Sequence, residues 1–259
     1  MDTTSNDEFY EYYAKESQSP ATEERFRRLK EAVTRVAREN SSRTLTHVAD
    51  IGCGAGTQAR LWAADGYLVH GLDVNERLVR LAERRAADEQ LSIRFDVGSA
   101  TDLPWDNASM DVCLLPELLE HVADWQGCVR EAARVLRPGG WLYLSTTNVL
   151  CPIQQEFNLP LYSWYPAPLK RKLERAATTS WPSIANYAKY PAVHWFSYYG
   201  LRKFLLPLGF RCFDRFDVID VATKGAMTRR MLKAIRASSL LRVLAHVATP
   251  GVSIIAVKS

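Results

Sequence analysis

The residues best able to do chemistry fall into a few short groups. Gly52, Gly54 and Gly56 alternate in Asp50-Ile51-Gly52-Cys53-Gly54-Ala55-Gly56, directly after the apolar run Val48–Ile51. This pattern predicts a buried strand closing in a turn where backbone approaches a ligand, because glycine alone combines close approach with positive φ at no steric cost. A nucleotide-like ligand is implied. Asp73 follows about 20 residues on, where Rossmann-type folds bind a ribose, and a carboxylate accepts from two vicinal hydroxyls at once. Asp50 would repel a pyrophosphate but can help hold a ligand ammonium. Glu117 and His121 stand four apart, and His194 follows a long aromatic stretch.

A dinucleotide fingerprint also joins a strand to a helix through glycines. Here the third glycine comes one residue early and Thr57 stands where that fingerprint needs Gly or Ala. The elements around the groups follow from periodicity. A leading helix is expected over about Glu23–Glu39, with Phe26, Leu29, Val33 and Val36 on one face, Thr22 as N-cap and Glu23 and Glu24 in its first turn. Strands are expected at about 46–51, 67–72, 92–96, 110–115 and 141–146, with helices at 57–64 and 76–89, the latter capped by Asn75. Pro138-Gly139-Gly140 predicts a turn after a helix, since proline ends helices and glycines reverse the chain. A helix at 198–206 and strands at 213–221 and 252–257 complete the pattern.

In this order the groups resemble the class I S-adenosylmethionine (SAM) dependent methyltransferases. The resemblance rests on Asp50 with Gly52, Gly54 and Gly56, on Asp73, on Gly98-Ser99-Ala100-Thr101-Asp102-Leu103-Pro104-Trp105, and on Glu117-to-His121-Val122. It implies a Rossmann-like α/β fold: a seven-stranded, mostly parallel sheet with helices on both faces and a reversed C-terminal hairpin. It implies cofactor contacts at Asp50, Gly52, Cys53, Gly54, Gly56, Asp73, Val74, Ser99, Ala100 and Leu115, and at Tyr13 from the leading segment. Ser99 replaces the aspartate that usually takes the adenine amino group, and a hydroxyl accepts the same bond more weakly. Tyr12 or Tyr13 either closes the pocket or serves aromatic packing. Leu144-Ser145-Thr146-Thr147-Asn148 is similar to the branch that includes ubiquinone-biosynthesis and natural-product methyltransferases.

The implied activity is methyl transfer from SAM, leaving S-adenosylhomocysteine (SAH), to a small molecule in biosynthesis. O-methylation of a hydroxylated aromatic or lipid-like metabolite leads, with C- or N-methylation, or a membrane-surface or partner-binding protein retaining the fold, as alternatives. His194 is the first candidate for a base and His121 the second. Each also reads as structural, a hydrogen-bonded histidine or a pocket-lining one. No metal is implied.

Composition sets the remaining bounds. The chain of 259 residues, 47% hydrophobic and 24% charged, is expected to be one globular methyltransferase domain, with a helical N-terminal segment (about 9–40) and insertions at about 149–197 and 222–249. The first insertion, rich in aromatics and proline, lies where α/β folds bind ligands and reads as a substrate lid or as a packed subdomain. Residues 1–147 hold 17 basic and 24 acidic residues, net −7, and residues 148–259 hold 16 and 5, net +11. The second insertion carries Lys224, Arg229, Arg230, Lys233, Arg236 and Arg242 with no acid. Such a basic amphipathic helix reads as a membrane-surface element, an anionic-ligand wall or an ordinary surface helix. No nucleic-acid-binding module is recognisable. Five scattered cysteines and a polar, acidic N-terminus fit a cytoplasmic protein, membrane-associated at most through its basic half.

Overall fold

The computed structural model describes residues 7–154, 156–185, 192 and 194–259. Its seven strands are β1 (His47–Ile51), β2 (Leu68–Asp73), β3 (Ile93–Val97), β4 (Met110–Pro116), β5 (Leu136–Thr147), β6 (Phe210–Asp214) and β7 (Gly251–Lys258). They form one sheet in the order β3-β2-β1-β4-β5-β7-β6. β1 to β5 are parallel, and β7 lies antiparallel between β5 and β6. The direction of winding reverses between β1 and β4, where ligands of open α/β sheets bind at the carboxyl ends of the strands.

The central strands are apolar on both sides because both faces are covered. On β4 and β5, Val112, Leu114 and Trp141 turn to one core and Cys113, Leu115, Leu142 and Leu144 to the other, as the period of two requires. The first core is closed by α2 (Pro20–Asn40) and α3 (Thr57–Ala63), through Leu29, Val33, Val36 and Trp62. The second is closed by α5 (Trp125–Val135) and α7 (Tyr198–Leu205). α1 (Asp7–Glu16) packs on α4 (Glu76–Asp88), which Asn75 caps by accepting from the backbone N–H groups of Arg77 and Leu78.

Four expectations are corrected. The leading helix starts at Pro20, because Ser19 rather than Thr22 is the N-cap and accepts from the Thr22 N–H, and proline suits the first helical turn. Pro138-Gly139-Gly140 lies within β5: α5 stops at Val135, Leu136 is already extended, and a bulge opposite Met110 and Val112 absorbs the extra residues. The strand expected at 213–221 is Phe210–Asp214, since the Asp214 carboxylate caps the short helix α8 (Arg215–Val218) in a capping box with Asp217. The basic insertion is two helices, α9 (Ala226–Ala237) and α10 (Ser239–Val247), divided at Ser238, whose hydroxyl caps the second. Among its described residues, the 149–197 segment holds α6 (Ala167–Thr178) and two single 3₁₀ turns, Tyr162–Trp164 and Pro182–Ile184.

Candidate active site

The glycine loop leaves β1 with Gly52, Gly54 and Gly56 at φ of +76°, +51° and +76°. Gly52 and Cys53 donate their N–H groups to the Leu72 carbonyl, at 2.7 and 3.0 Å, which ties the loop to the end of β2. A Cβ on Gly56 would stand 2.7 Å from the Ala82 Cβ, whereas one on Gly54 would meet nothing within 4 Å. The outer glycines are thus packed against protein and the middle one faces open space.

Asp73 fixes that middle residue. Its Oδ2 accepts from the Gly54 N–H at 2.9 Å and its Oδ1 from the Asn75 N–H at 2.8 Å. Burial raises the carboxyl pKa, with both amides opposing. Each oxygen keeps a lone pair for a further donor. Asp50 is wholly buried, and neither oxygen has a hydrogen-bond partner among the described residues. Burial pushes it up to about 7; the nearby Ala59 N–H, outside hydrogen-bond geometry, opposes this, and the Asp73 charge adds to it.

The other expected contacts are distributed unevenly. The Cys53 thiol is buried, Val74 is exposed, and Ser99 Oγ is within 2.7 Å of Thr101 Oγ1 and accepts from the Thr101 N–H. The Ala100 and Leu115 side chains are in the core. β1 pairs with β4 only as far as Leu114, so the β1-facing backbone of Leu115 lies past the ladder. Tyr13 is in α1, and its side chain, like that of Tyr12, lies outside the described residues.

Arg85 was missed in the sequence. Its guanidinium, on the inner face of α4, donates to the Ala14 carbonyl at 2.7 Å, to Ser17 Oγ at 2.9 Å and to the Ala55 carbonyl in the glycine loop at 3.4 Å. Thr57 Oγ1 donates to the Ser17 carbonyl at 2.7 Å, and the Arg77 guanidinium lies 4.4 Å from the Tyr10 ring centroid. The N-terminal segment is thereby stitched over the loop. An arginine among the apolar inner positions Leu78, Ala82 and Ala86 was the available signal.

The other side of the cleft is built by the turn after β4 and the segment after β5. Glu117 has φ of +51° and donates its N–H to the Ser145 carbonyl at 2.9 Å, while Ser145 Oγ donates to its carboxylate. Glu120 is buried and accepts from Thr146 Oγ1 at 2.7 Å; burial first, then the Glu117 charge, raise its pKa well above the usual range. His121 is exposed at the surface, and partial loss of hydration lowers its pKa to about 4. His194 reaches the same edge: its N–H donates to the Glu120 carbonyl at 3.2 Å and its carbonyl accepts from Thr147 Oγ1 at 3.0 Å. Glu156, unremarked as a base in the sequence, is pushed up to about 7 by burial and then by Glu117, with the Ala192 N–H opposing. The structure thus brings His194, Glu120 and the His121 turn to one edge.

The aromatic insertion is partly a small core of its own. Phe157 and Tyr162 stack at 4.0 Å, and the buried Lys170 ammonium lies 4.6 Å from the Trp195 ring. Tyr187 and Tyr190 lie outside the described residues. A separate concavity of about 220 Å³ opens between α2 and the ends of β4, β5 and β7, with Arg25, Glu117, Tyr143 and Arg215 in its wall. Among the described residues no His, Cys, Asp and Glu grouping could hold a metal ion.

Sheet order, glycine loop and Asp73 together define a class I SAM-dependent methyltransferase fold. A methyltransferase domain family model matches residues 49–144 of the chain. It is 37% identical over 102 residues to the ubiquinone biosynthesis O-methyltransferase of Coxiella burnetii, covering 39% of this chain and 44% of that protein. It is 43% identical over 98 residues to the 27-O-demethylrifamycin SV methyltransferase of Amycolatopsis mediterranei, 37% and 36% of the two chains. The matches thus span less than half the length of those relatives. Among solved structures, the YcgJ protein of Bacillus subtilis superposes at a TM-score of 0.55 with 19% identity, over 88% of this chain and 98% of that one. Phosphoethanolamine N-methyltransferase 2 of Haemonchus contortus, in complex with SAH, gives 0.54 and 17%, over 88% and 52%. SAM is the cofactor of the class. The residues fit it: Gly54 faces open space and Asp73 retains acceptor capacity.

Proposed function

We propose that this chain transfers a methyl group from SAM to a small molecule, with a hydroxyl oxygen of an aromatic or lipid-like metabolite as the leading acceptor. The observation that carries this is the Asp73–Gly54 hydrogen bond. It couples the expected ribose acceptor to the one loop glycine with space above it, inside the matched domain. Gly52 to Gly56, Asp73 with Val74, Ser99 with Ala100 and the backbone at Leu115 hold the cofactor, and the Arg85-anchored segment with Tyr13 covers it. O-methyl transfer is supported by the two O-methyltransferase relatives. An N- or C-methyl acceptor is the second reading, favoured by the similarity to the Haemonchus N-methyltransferase.

When bound, SAM supplies an electrophilic methyl group on a sulfonium, so the protein chiefly aligns the acceptor and excludes water, effects worth up to about 7–11 kcal/mol. A hydroxyl acceptor needs a proton taken from its oxygen. His194 and His121 are bases at the right edge, and Glu156, titrating near 7, is the better matched to neutral pH than His121, titrating near 4. The 149–197 insertion acts as the lid over that edge. The acceptor is a small molecule rather than nucleic acid, and the basic half, residues 148–259, gives a cytoplasmic enzyme a peripheral membrane contact.

Calorimetric titration with SAM, SAH and NAD tests the reading. SAM and SAH should bind, NAD should not, and Asp73→Ala should weaken SAM by at least about tenfold as the ribose acceptor and the Gly54 tether go together. Binding of NAD in place of SAM overturns it.

A further inference from the structure

The helical pair α9–α10 leaves an apolar surface that the rest of the described chain does not cover. Met227 and Met231 on α9 are 85% and 55% exposed, and Leu240 and Leu244 on α10 are 67% and 54% exposed. Helical spacing explains it. Leu232 and Ile235 turn inward with Phe216, and the 227, 231, 234 stripe lies on the other side. On α10, His246 is buried against Asp214 and Tyr198, while Leu240 and Leu244 lie opposite it. Large apolar side chains left exposed on one pair of contacting helices suit an interaction surface.

Charge names the partner. Of the basic residues here, Arg242 pairs with Asp217 and Asp214, and Arg236 donates to carbonyls of Phe216, Asp217 and Ile219. Lys224, Arg229, Arg230 and Lys233 are exposed and have no hydrogen-bond or ion-pair partner for their side chains among the described residues. No acid occurs between residues 223 and 249. Four free cations beside exposed Met and Leu are complementary to an anionic bilayer, where apolar side chains enter the acyl boundary and cations meet headgroups. A second copy docked through the same face would bring the same four cations together without a counter-charge.

We propose that α9–α10 docks the protein on an anionic lipid surface. This deepens the membrane contact of the proposed function by assigning it to a defined element, and it does not depend on methyl transfer. The pair is tied to the acceptor edge. Asn148, directly after β5, donates its Nδ2 to the carbonyls of His246 and Thr249, at 2.8 and 2.7 Å, and its backbone bridges to Phe196 of the first insertion. Docking therefore sets the mouth of the cleft beside the lipid, and an acceptor dissolved in the bilayer has a short path to it.

Co-sedimentation of the full chain with vesicles of phosphatidylcholine, with and without phosphatidylglycerol, at low and high salt, tests this. Binding should require phosphatidylglycerol and fall with salt. Arg229→Gln with Arg230→Gln should weaken it about 30-fold, at roughly fivefold per charge. Met227→Ser with Leu244→Ser should weaken it about tenfold or more. Both pairs should keep the circular dichroism and SAM titration of the parent. Absence of binding to phosphatidylglycerol vesicles, or equal binding to both vesicle types, overturns the proposal. So does a concentration-dependent dimer in light scattering that Met227→Ser with Leu244→Ser abolishes, because a second copy then covers the face. Vesicle binding without SAM binding would leave this inference standing and remove the methyltransferase reading.

Discussion

Two alanines in one loop separate a glycine that packing demands from one that a ligand demands. At Gly54 and Gly56 φ is +51° and +76°, so alanine costs about 1–2 kcal/mol at either position for entering the left-handed region. Part of that, about 0.4–1 kcal/mol, is returned because alanine restricts the unfolded chain. For Gly54→Ala nothing else is added, since the new methyl meets no atom within 4 Å. Stability should fall by about 1 kcal/mol, or roughly 2–4 °C in Tm for a chain of this size. For Gly56→Ala the Cβ stands 2.7 Å from the Ala82 Cβ and 3.2 Å from Phe95 Cζ. Carbon atoms rest at about 3.5–4.0 Å, and the alanine on α4 has no rotamer by which to yield. α3 and α4 must separate, an overpacking cost of about 1–3 kcal/mol, so the total is about 2–4 kcal/mol and roughly 4–16 °C. Binding should divide differently. Gly54→Ala puts a methyl group where the cofactor's backbone approach is needed and should weaken SAM at least about 30-fold, an overlap penalty of about 2 kcal/mol or more. Thermal unfolding and calorimetry on both variants decide it. If Gly54→Ala binds SAM like the parent, the open space above the loop is not the cofactor site. If Gly56→Ala is as stable as Gly54→Ala, the packing argument fails.

The remaining predictions concern groups around that loop. Asp50 carries a raised pKa, so the folded state holds its proton more tightly than the unfolded one. Its ionisation lowers stability progressively as pH rises from about 4 to 7, by up to about 4 kcal/mol. Asp50→Asn should flatten that part of the pH–stability profile of the ligand-free protein and raise Tm at pH above 7; an unchanged profile refutes it. Arg85→Met keeps the apolar stem but removes three hydrogen bonds to Ala14, Ser17 and Ala55. It should speed proteolysis within residues 7–19 and weaken SAM several-fold, while far-UV circular dichroism stays unchanged. His246→Ala deprives the wholly buried Asp214 of its 3.0 Å partner, leaving Arg242 at 3.6 Å and the cap amides, and should cost about 3 kcal/mol in chemical denaturation.

What was legible in the chain were features whose cause is local. Alternate glycines need positive φ whatever surrounds them, Asn75 caps from its own position, and apolar runs of strand length declare buried strands. The reversed β6–β7 hairpin followed from family order and proved correct, although β6 is shorter than expected. What was not legible depends on partners distant in sequence. Arg85 reads as one more helical arginine until the chain around Ala14 and Ser17 folds back on it. Glu117 adopts a left-handed conformation because Ser145, on the next strand, grips both its N–H and its carboxylate. Pro138 looks like a stop signal, yet a bulge lets β5 run through it, since the ladder to β4 resumes at Trp141. The orphaned oxygens of Asp50 are invisible in sequence too, for the residue type declares only an acid.

Charge and topology are divided along the same line. The half that ends at Thr147, net −7, contributes the glycine loop, Asp73 and the covering N-terminal segment, and the half from Asn148, net +11, contributes both insertions. Both insertions begin at the carboxyl edge of the sheet, one directly from β5 and the other tied back to it through Asn148. Near an anionic surface such a molecule experiences a torque as well as an attraction, because its two halves are pushed in opposite directions over a range of about 8–10 Å at ordinary salt. On the docking proposed above, the basic insertions would turn toward the surface and the acidic half away, and the four solvent-facing cations would meet headgroups while Met227, Met231, Leu240 and Leu244 reach the acyl boundary. A fold with the same loop and a neutral second half would bind cofactor equally well and lack any preferred orientation at a membrane.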